Sequence, residues 1–435
     1  MVEIYRNSAL TIGAAAAHKA ADCMLHTRSP TSRDMKPKLK LSKDSGSDDI
    51  VEIASSVLRR EDLANLIGYG PLQSRAWAFQ ERILSPRILW YGRRQIYWQC
   101  LCGFQSADGT PSGGVAFPSS EDYIYPIITQ RLFFSQHYND GSTRFSEEEL
   151  LEINHEYQSM VMEYCTRALS YPNDKLPAFS GIAALLHKAV GGHYLAGIWS
   201  KLFRENLLWH NVGSTAPHKK QYRAPSWSWA VTDEEMLLSY DNLSRLASTP
   251  YDPILLPHHI ELSSENPYGA VKYAHIIVDT LTLKLIHLVN PESSPLIPFS
   301  PRTSRQKEGE TKIQSGGSVA PISIETSFKC AKLRTSYNHN WDEDTPDWSA
   351  VSPLEYKVML VGLERRSEKY GDGTSVLGSV SCLKCLILQE DPEDAKVCRR
   401  VGRADLNIYY REVDEPDLDP WFASDWWERE TLKLI

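Results

Sequence analysis

The carboxylate with the most distinctive chemical surroundings in this sequence is Glu81, which stands between Arg75 and Arg82 in a dense run of aromatic, amide and basic residues. A carboxylate whose pKa is shifted by its surroundings can transfer protons as a general acid or base. In a packed core the same carboxylate would pair with a neighbouring arginine or backbone amide, because an unpaired buried charge is costly. We expect the structural role for Glu81 and keep it as the catalytic candidate.

Other signatures of catalysis, nucleotide binding or metal binding do not occur in the sequence. It contains no P-loop, no glycine-rich dinucleotide fingerprint after a strand, no H-E-x-x-H and no G-x-S-x-G. Cys382 and Cys385 lie three residues apart in an alternating apolar segment, and that offset in a strand turns two side chains to opposite faces. We therefore expect structural cysteines, and we predict no metal site and no cofactor.

The element that positions Glu81 is predicted to be a helix. Apolar residues fall at steps of four, three and four along one helical face, namely at Leu72, Ala76, Phe79 and Ile83. Trp77 begins a second apolar line beside this face, which leaves a narrow strip around Arg75 and Arg82 for solvent. We therefore expect Trp77 and Phe79 in the core and Arg82 at the surface.

A β-hairpin is predicted directly after this helix. Ser85-Pro86 ends the helix, because proline cannot donate to the helix ladder and disfavours helical geometry in the residue before it. The segments RILWY and QIYWQC then alternate with period two on either side of residues 92–94. Both faces carry large side chains, Ile88 and Trp90 on one and Leu89 and Tyr91 on the other. We therefore expect the hairpin to be covered on both faces.

The pattern R-x-W-x-x-Q-E-R-x-L-S-P-R, followed by a hairpin that ends in W-x-C, resembles the fungal heterokaryon-incompatibility (HET) domain family. The residues that match this pattern position by position are Arg75, Trp77, Gln80, Glu81, Arg82, Leu84, Ser85 and Arg87. Two later stretches resemble the region that usually follows the domain. Their matching residues are Asp174, Lys175, Pro225, Ser226, Trp227, Ser228 and Trp229.

The two later stretches also have structural interpretations of their own. Asp174 precedes a predicted helix and can cap it, because an aspartate side chain accepts hydrogen bonds from the amides of a first helical turn. Trp227 and Trp229 stand two residues apart, on one side of an extended segment, with a serine between them. We expect this segment to be a structural wedge that locks parts of the protein together, and an aromatic platform for a ligand is the alternative.

The resemblance carries an expectation about the fold. HET domains are held to be distantly similar to Toll/interleukin-1 receptor (TIR) domains, which implies a TIR-like α/β core. Members normally begin with a strand that ends in Y-x-W-G and a strand with the pattern D-x-x-C-I-x-Q, and neither pattern occurs here. We therefore expect an N-terminally truncated or degenerate member that retains part of this core.

Three regions are expected in a mixed α/β chain. Residues 1–100 correspond to the C-terminal half of a HET domain, with residues 27–49 as a polar loop or disordered insertion. Residues 101–245 form a helical extension that ends in the SWSW segment, and residues 246–435 form a β-rich C-terminal domain. The final stretch, PDLDPWFASDWWERETLKLI, is predicted to be a short acidic helix.

Composition narrows the classes of partner. With 47 basic and 55 acidic residues the net charge is -8, which argues against a general nucleic-acid binder. No apolar run approaches the roughly 18 residues that a membrane helix needs, so we expect no membrane association. Eight cysteines in 435 residues are too sparse for a disulfide scaffold. These features favour a cytoplasmic protein.

The resemblance implies a function that composition does not reveal. Members of the HET family act in fungal non-self recognition, where contact with an incompatible partner triggers growth arrest or programmed cell death. We accordingly expect a regulatory protein with a protein partner, whose identity the sequence does not give. The alternatives are a TIR-like hydrolase of NAD and a degenerate, inactive fragment.

Overall fold

The computed structural model of this 435-residue chain describes residues 2–19, 21–22, 24–25, 38–41, 49–52, 63, 66–67, 70–93, 95–100, 103–107, 145–211, 222–237, 246–284, 322–328, 331–341, 355–369, 376–410, 422 and 427–435. The chain divides into two compact units, Met1–Val190 (unit 1) and Gly191–Ile435 (unit 2). Helices and strands are both present, so the predicted mixed α/β class is confirmed. The TIR-like detail and the region boundaries at residues 100 and 245 stay predictions. No helix in the described part of the chain combines the length and the apolar composition that a membrane crossing requires.

Unit 1 contains a small mixed sheet and a separate strand pair. Its strands are β1 (Thr11–Gly13), β2 (Lys38–Leu41), β3 (Asp49–Glu52), β4 (Arg87–Tyr91), β5 (Ile96–Cys100) and β6 (Gly103–Ser106). The sheet has the order β1-β4-β5-β6, in which β4 and β5 form the predicted antiparallel hairpin and β1 runs parallel to β4. Strands β2 and β3 pair antiparallel with each other. Strand β2 thus lies inside segment 27–49, where a loop was expected, and residues 27–37 and 42–48 lie outside the described residues.

Close packing against the hairpin explains the glycine at the end of β1. A Cβ atom added at Gly13 would stand 2.3 Å from a ring carbon of Trp90, so only a residue without a side chain fits there. Trp90 and Ile88 are buried on this face of the hairpin, whereas Leu89 is half-buried on the other. The two faces are therefore covered to different extents.

Unit 1 has four described helices, of which one contains Glu81 and the other three pack against it. They are α1 (Val2–Arg6), α2 (Ala76–Leu84), α3 (Glu147–Cys165) and α4 (Ser180–Val190). A 3₁₀ turn, Pro71–Ser74, occupies the start of the predicted helix, and α2 begins only after the extended residue Arg75. Helix α2 ends at Leu84, and Ser85 is already extended, as the proline after it predicts. A capping box between Ser146 and Glu149 begins α3 and satisfies two backbone amides.

Unit 2 is dominated by long antiparallel strands. Its elements are β7 (Tyr194–Leu195), β8 (Ile198–Trp199), α5 (Phe203–Asn206), β9 (His210–Asn211), β10 (Met236–Leu237), β11 (Ile254–Leu262), β12 (Val271–Lys284), β13 (Ile322–Phe328), β14 (Ala331–Trp341), β15 (Tyr356–Lys369), β16 (Val376–Glu390), β17 (Val397–Tyr410) and β18 (Trp427–Leu434). The long strands follow the order β11-β12-β15-β16-β17-β14-β13, and β18 pairs with both β12 and β17. These pairings close β12, β15, β16, β17 and β18 into a ring. The predicted β-rich C-terminal region is confirmed.

Residues 427–434 form a strand, so the predicted acidic helix is wrong for this part of the segment, and residues 416–421 and 423–426 lie outside the described residues. Strand β18 pairs antiparallel with β12 from Trp427, opposite Leu283, to Leu434, opposite Ile276. Trp427 and Leu434 are buried, whereas the glutamates between them are more exposed. Pairing with two neighbouring strands decides the conformation here, because β structure depends on cross-strand context more than on composition.

The cysteines of β16 are buried in the central part of the sheet. Cys385 packs with Leu383 and Ile387 in an apolar cluster, whereas Cys382 lies beside Lys384, so the two thiols face different surroundings as predicted. Burial raises the pKa of Cys382 to about 12 and raises that of Cys385 well above its ordinary value. Thiols of this kind stay protonated and chemically unreactive.

Candidate functional site

Two arginines and one glutamate form a buried ionic cluster beside α2. Glu163, near the end of α3, accepts hydrogen bonds from Arg82 Nη2 at 2.6 Å and from Arg167 Nη2 at 2.5 Å, both through Oε1. The arginine side chains are 1% and 3% exposed, and the glutamate side chain is 14% exposed. The prediction that Arg82 faces solvent is therefore wrong, because its guanidinium reaches a carboxylate on α3.

An aromatic layer lies against the two guanidinium groups. The Cζ atoms of Arg82 and Arg167 lie 5.3 Å and 4.7 Å from the ring centroid of Phe79. The Phe79 ring stacks on Phe179 at 6.2 Å and lies 5.9 Å from the ring of Tyr164. Phe79 has no exposed surface, so its predicted place in the core is confirmed. Cation–π contacts add about 0.5–2 kcal/mol each and also orient the planar guanidinium groups.

Two glutamines connect α2 and its preceding turn to other segments of unit 1. Gln80 is fully buried, and its Oε1 accepts the backbone N–H of Gly181 at 3.1 Å. A Cβ atom at Gly181 would stand 2.6 Å from this oxygen and 2.8 Å from the buried Leu84, so glycine permits the approach. Gln73 accepts from Arg167 Nη1 through its backbone oxygen at 2.5 Å and through Oε1 at 3.1 Å.

The Asp174-Lys175 pair contacts helices α2 and α3. Trp77 is half-buried, which corrects the expectation of a core position, and its Nε1 donates to Asp174 Oδ2 at 3.3 Å. The Asp174 carboxylate thus contacts an indole, and α4 begins only at Ser180 without a cap from it. Lys175 is buried, and its Nζ lies 5.7 Å from the ring centroid of Tyr164. The Tyr164 hydroxyl donates to the Lys175 carbonyl at 2.7 Å.

Glu81 pairs with a tyrosine of α1. The hydroxyl of Tyr5 lies close enough to the half-buried Glu81 carboxylate to influence its pKa. Partial burial raises the pKa of Glu81, although Tyr5 and the charge of Arg75 oppose this change. The pKa of Tyr5 is raised as well, first by burial and then by the Glu81 charge. Both groups therefore bind a proton more readily than they would in water. Arg82, the residue after Glu81, forms its hydrogen bond with Glu163.

The remaining motif residues around α2 have structural or surface positions. Ser85 Oγ donates to the carbonyl of Glu81 at 2.6 Å and lies 2.8 Å from Thr11 Oγ1, which links the end of α2 to β1. Arg75 and Arg87 are exposed. Ser85 therefore stabilises the end of α2, and the two arginines lie at the protein surface.

A cavity of about 300 Å³ in unit 1 lies at the turn of the hairpin. Its lining includes Ala14, His18, Asp22, Tyr91 and Arg93, and none of the motif residues of α2. Asp22 Oδ2 accepts from the backbone N–H of His18 at 2.8 Å, and Arg93 Nη2 lies 3.3 Å from His18 Nε2. This cavity therefore does not give a substrate access to Glu81.

The SWSW segment is packed inside unit 2. Trp227 and Trp229 are 0% and 1% exposed, and Pro225 is also buried. Trp229 Nε1 donates to the carbonyl of Gly197 at 2.6 Å, where a Cβ atom would stand 2.7 Å from that nitrogen. Ser228 Oγ donates to the backbone of the turn between β7 and β8. These contacts within unit 2 are those of a structural segment.

Ser226 connects the SWSW segment both to Ile435 and to the buried Arg400 of β17. The carbonyl of Ile435 accepts from both Oγ and the backbone N–H of Ser226. Ser226 Oγ in turn accepts from the backbone N–H of Arg400 at 3.0 Å. The Arg400 guanidinium lies 3.7 Å from the ring centroid of Trp209 and donates to the carbonyl of the same residue. Residues far apart in sequence are thus held in one buried network.

Sequence reasoning missed the partners that define the surroundings of α2. Glu163 and Arg167 are four residues apart, which is the spacing of a helical ion pair and a usable signal. The bond from Arg82 to Glu163 spans 81 positions, and no local pattern predicts it. Tyr5 lies in the short helix α1, and no local sequence pattern predicts that it comes close to Glu81.

The first part of the chain matches a known protein-family model. Residues 1–81 match the family model described as "Heterokaryon incompatibility protein (HET)". The matched segment ends at Glu81, within α2, and includes Arg75, Trp77 and Gln80. No curated protein and no solved structure matches the chain significantly. The match suggests a role in heterokaryon incompatibility, and the chain is consistent with an HET domain-containing protein, as the motif in α2 predicts.

Proposed function

We propose that this chain is a regulatory protein of fungal non-self recognition, which triggers programmed cell death when it meets an incompatible protein partner in the cytoplasm. The observation that carries the proposal is the HET-family match over residues 1–81. The arrangement around α2 supports the proposal, because the polar groups of Gln80, Arg82 and Ser85 form hydrogen bonds within unit 1 and have structural roles there. A folded module built in this way acts through its surface and its stability.

The proposal is tested in a fungal host from which the native gene has been deleted. The parent gene is reintroduced, and strains are paired with a panel of tester strains while uptake of a vital dye reports cell death at fusion points. We expect death with some testers only, loss of this response with Glu163→Gln, and an unchanged response with Glu152→Gln. Glu152 lies exposed on the same helix, so it is the matched control. Pairings that give the same result with the deletion strain and the parent would contradict the proposal.

An NAD hydrolase is the second candidate, and the partly buried Glu81 with its raised pKa is the observation that favours it. Its carboxylate lies beside Tyr5, and the described cavity of unit 1 lies elsewhere. We therefore expect purified parent protein and Glu81→Gln to release no nicotinamide from NAD. Turnover in the parent that disappears in Glu81→Gln would make Glu81 a catalytic residue and would overturn the regulatory assignment.

A further inference from the structure

Four of the thirteen histidines form two pairs of neighbouring rings in unit 2, which we call the histidine cluster. His258 and His259 are consecutive in β11, His275 lies directly opposite His259 on β12, and His193 precedes β7. The ring centroids of His193 and His258 are 4.7 Å apart, and those of His259 and His275 are 5.7 Å apart. His193 and His259 are exposed and the other two are half-buried, so solutes can reach this histidine cluster.

The four imidazole rings form no hydrogen bonds with other residues in the described ranges of the chain, and Nδ1 of His275 is buried without such a partner. Neutral imidazole with a free ring nitrogen is the form that binds metal ions.

We propose that His193 and His258 bind a divalent transition-metal ion of the Zn²⁺ or Cu²⁺ type. Such ions favour imidazole nitrogen at about 2 Å, which places the centroids of two rings on one ion about 4.5–5 Å apart. The observed 4.7 Å between His193 and His258 falls in this range, whereas the 5.7 Å between His259 and His275 does not. No three His, Cys, Asp or Glu side chains among the described residues are grouped to hold a metal ion, so this site would have two protein ligands and water would have to complete its coordination.

The backbone around His193 is already fixed in position for such a site. Gly191 and Gly192 have φ values of 65° and 75°, in the left-handed region that glycine favours. The backbone N–H of His193 donates to Ser200 Oγ at 2.8 Å, and its carbonyl accepts the N–H of Ser200 at 2.9 Å. A fixed backbone lowers the entropic cost of binding both rings to one ion. The ion would then link β11 to the segment that precedes β7.

Titration calorimetry of the tag-free, full-length protein with ZnSO₄ tests this site. We expect saturable binding in the parent, and affinity reduced at least about tenfold in His193→Gln and in His258→Gln, since even outer-shell partners of metal ligands contribute that much. His259→Gln, next in the same strand, is the matched control and should leave the affinity unchanged. MgCl₂ should give no binding heat, because Mg²⁺ prefers oxygen ligands.

Electron paramagnetic resonance with Cu²⁺ gives an independent measurement on the same protein. We expect hyperfine coupling to two imidazole nitrogens in the parent and to fewer in His258→Gln. Circular dichroism of each variant separates a lost ligand from a lost fold, and the copper spectrum of the parent decides the matter even where a variant unfolds. The proposal is overturned by absence of saturable Zn²⁺ binding, or by parent-like affinity in both His193→Gln and His258→Gln.

Discussion

Replacing Glu163 by glutamine is expected to lower the free energy of unfolding of unit 1 by about 3–5 kcal/mol, the range found when one partner is removed from a buried ion pair. Arg82 and Arg167 share one oxygen of this carboxylate, and their side chains are only 1% and 3% exposed. In the variant, two buried guanidinium groups face each other across a neutral amide. Because glutamine keeps the shape of glutamate and one acceptor oxygen, the loss reports the missing charge.

Urea unfolding compares this variant with Glu152→Gln, which removes an exposed carboxylate from the same helix and should change stability by no more than about 0.5 kcal/mol. Hydrogen exchange of peptides from α2 and α3 assigns the loss to unit 1. Adding Arg82→Met to Glu163→Gln should restore part of the stability, because one of the two buried cations is then removed. If Glu163→Gln were as stable as Glu152→Gln, the ionic cluster would make no net contribution to the free energy of unfolding.

Local sequence signals predict α2 well because its own residues determine most of it. The apolar spacing through Phe79 gives the buried face, and the proline after Ser85 gives the helix end. The same signals misplace Arg82, because an arginine among apolar residues is ordinarily assigned to solvent. Its burial depends on Glu163, whose position relative to α2 is a tertiary fact.

Trp77 and β18 show the same limit from two other directions. The helical pattern places Trp77 beside a buried face, yet its indole N–H needs a polar partner and finds Asp174 at the edge of the packed region. The acidic composition of the segment that forms β18 favours a helix. Its pairing with β12 and β17 makes it a strand instead. Among the candidate site residues, the motif gave the correct helix, but it did not give the contacts of Glu81 or Asp174.

Replacing Lys384 by methionine is expected to lower the free energy of unfolding of unit 2 by about 3–5 kcal/mol. Lys384 Nζ lies 2.9 Å from Glu364 Oε2 and 2.9 Å from Asp405 Oδ2. The side chains of Lys384 and Glu364 are 2% and 1% exposed, so solvent cannot replace the lost ammonium group. Methionine keeps the length and the apolar packing of the lysine stem, so the loss again reports charge.

The acid limb of the stability profile reports the same interaction independently. Burial alone would raise the pKa of Asp405, but Arg403 and Lys384 more than offset this and hold it below its usual value. A carboxyl group with a lowered folded-state pKa stabilises the fold above its unfolded-state pKa, and this stability is lost as pH falls through the folded-state value. Without Lys384 the pKa of Asp405 should rise, so the variant should lose less additional stability below about pH 4 than the parent does.

Lys272→Met is the matched control for this prediction, because Lys272 forms an exposed pair with Glu261 at 3.4 Å on β12 and β11. Removing an exposed pair of this kind should change stability by less than about 1 kcal/mol. Adding Glu364→Leu to Lys384→Met should restore part of the loss, since no carboxylate then stays buried opposite the missing ammonium. If Lys384→Met were as stable as Lys272→Met, the ion pairs of Lys384 would only replace the hydration that their charges lose on burial.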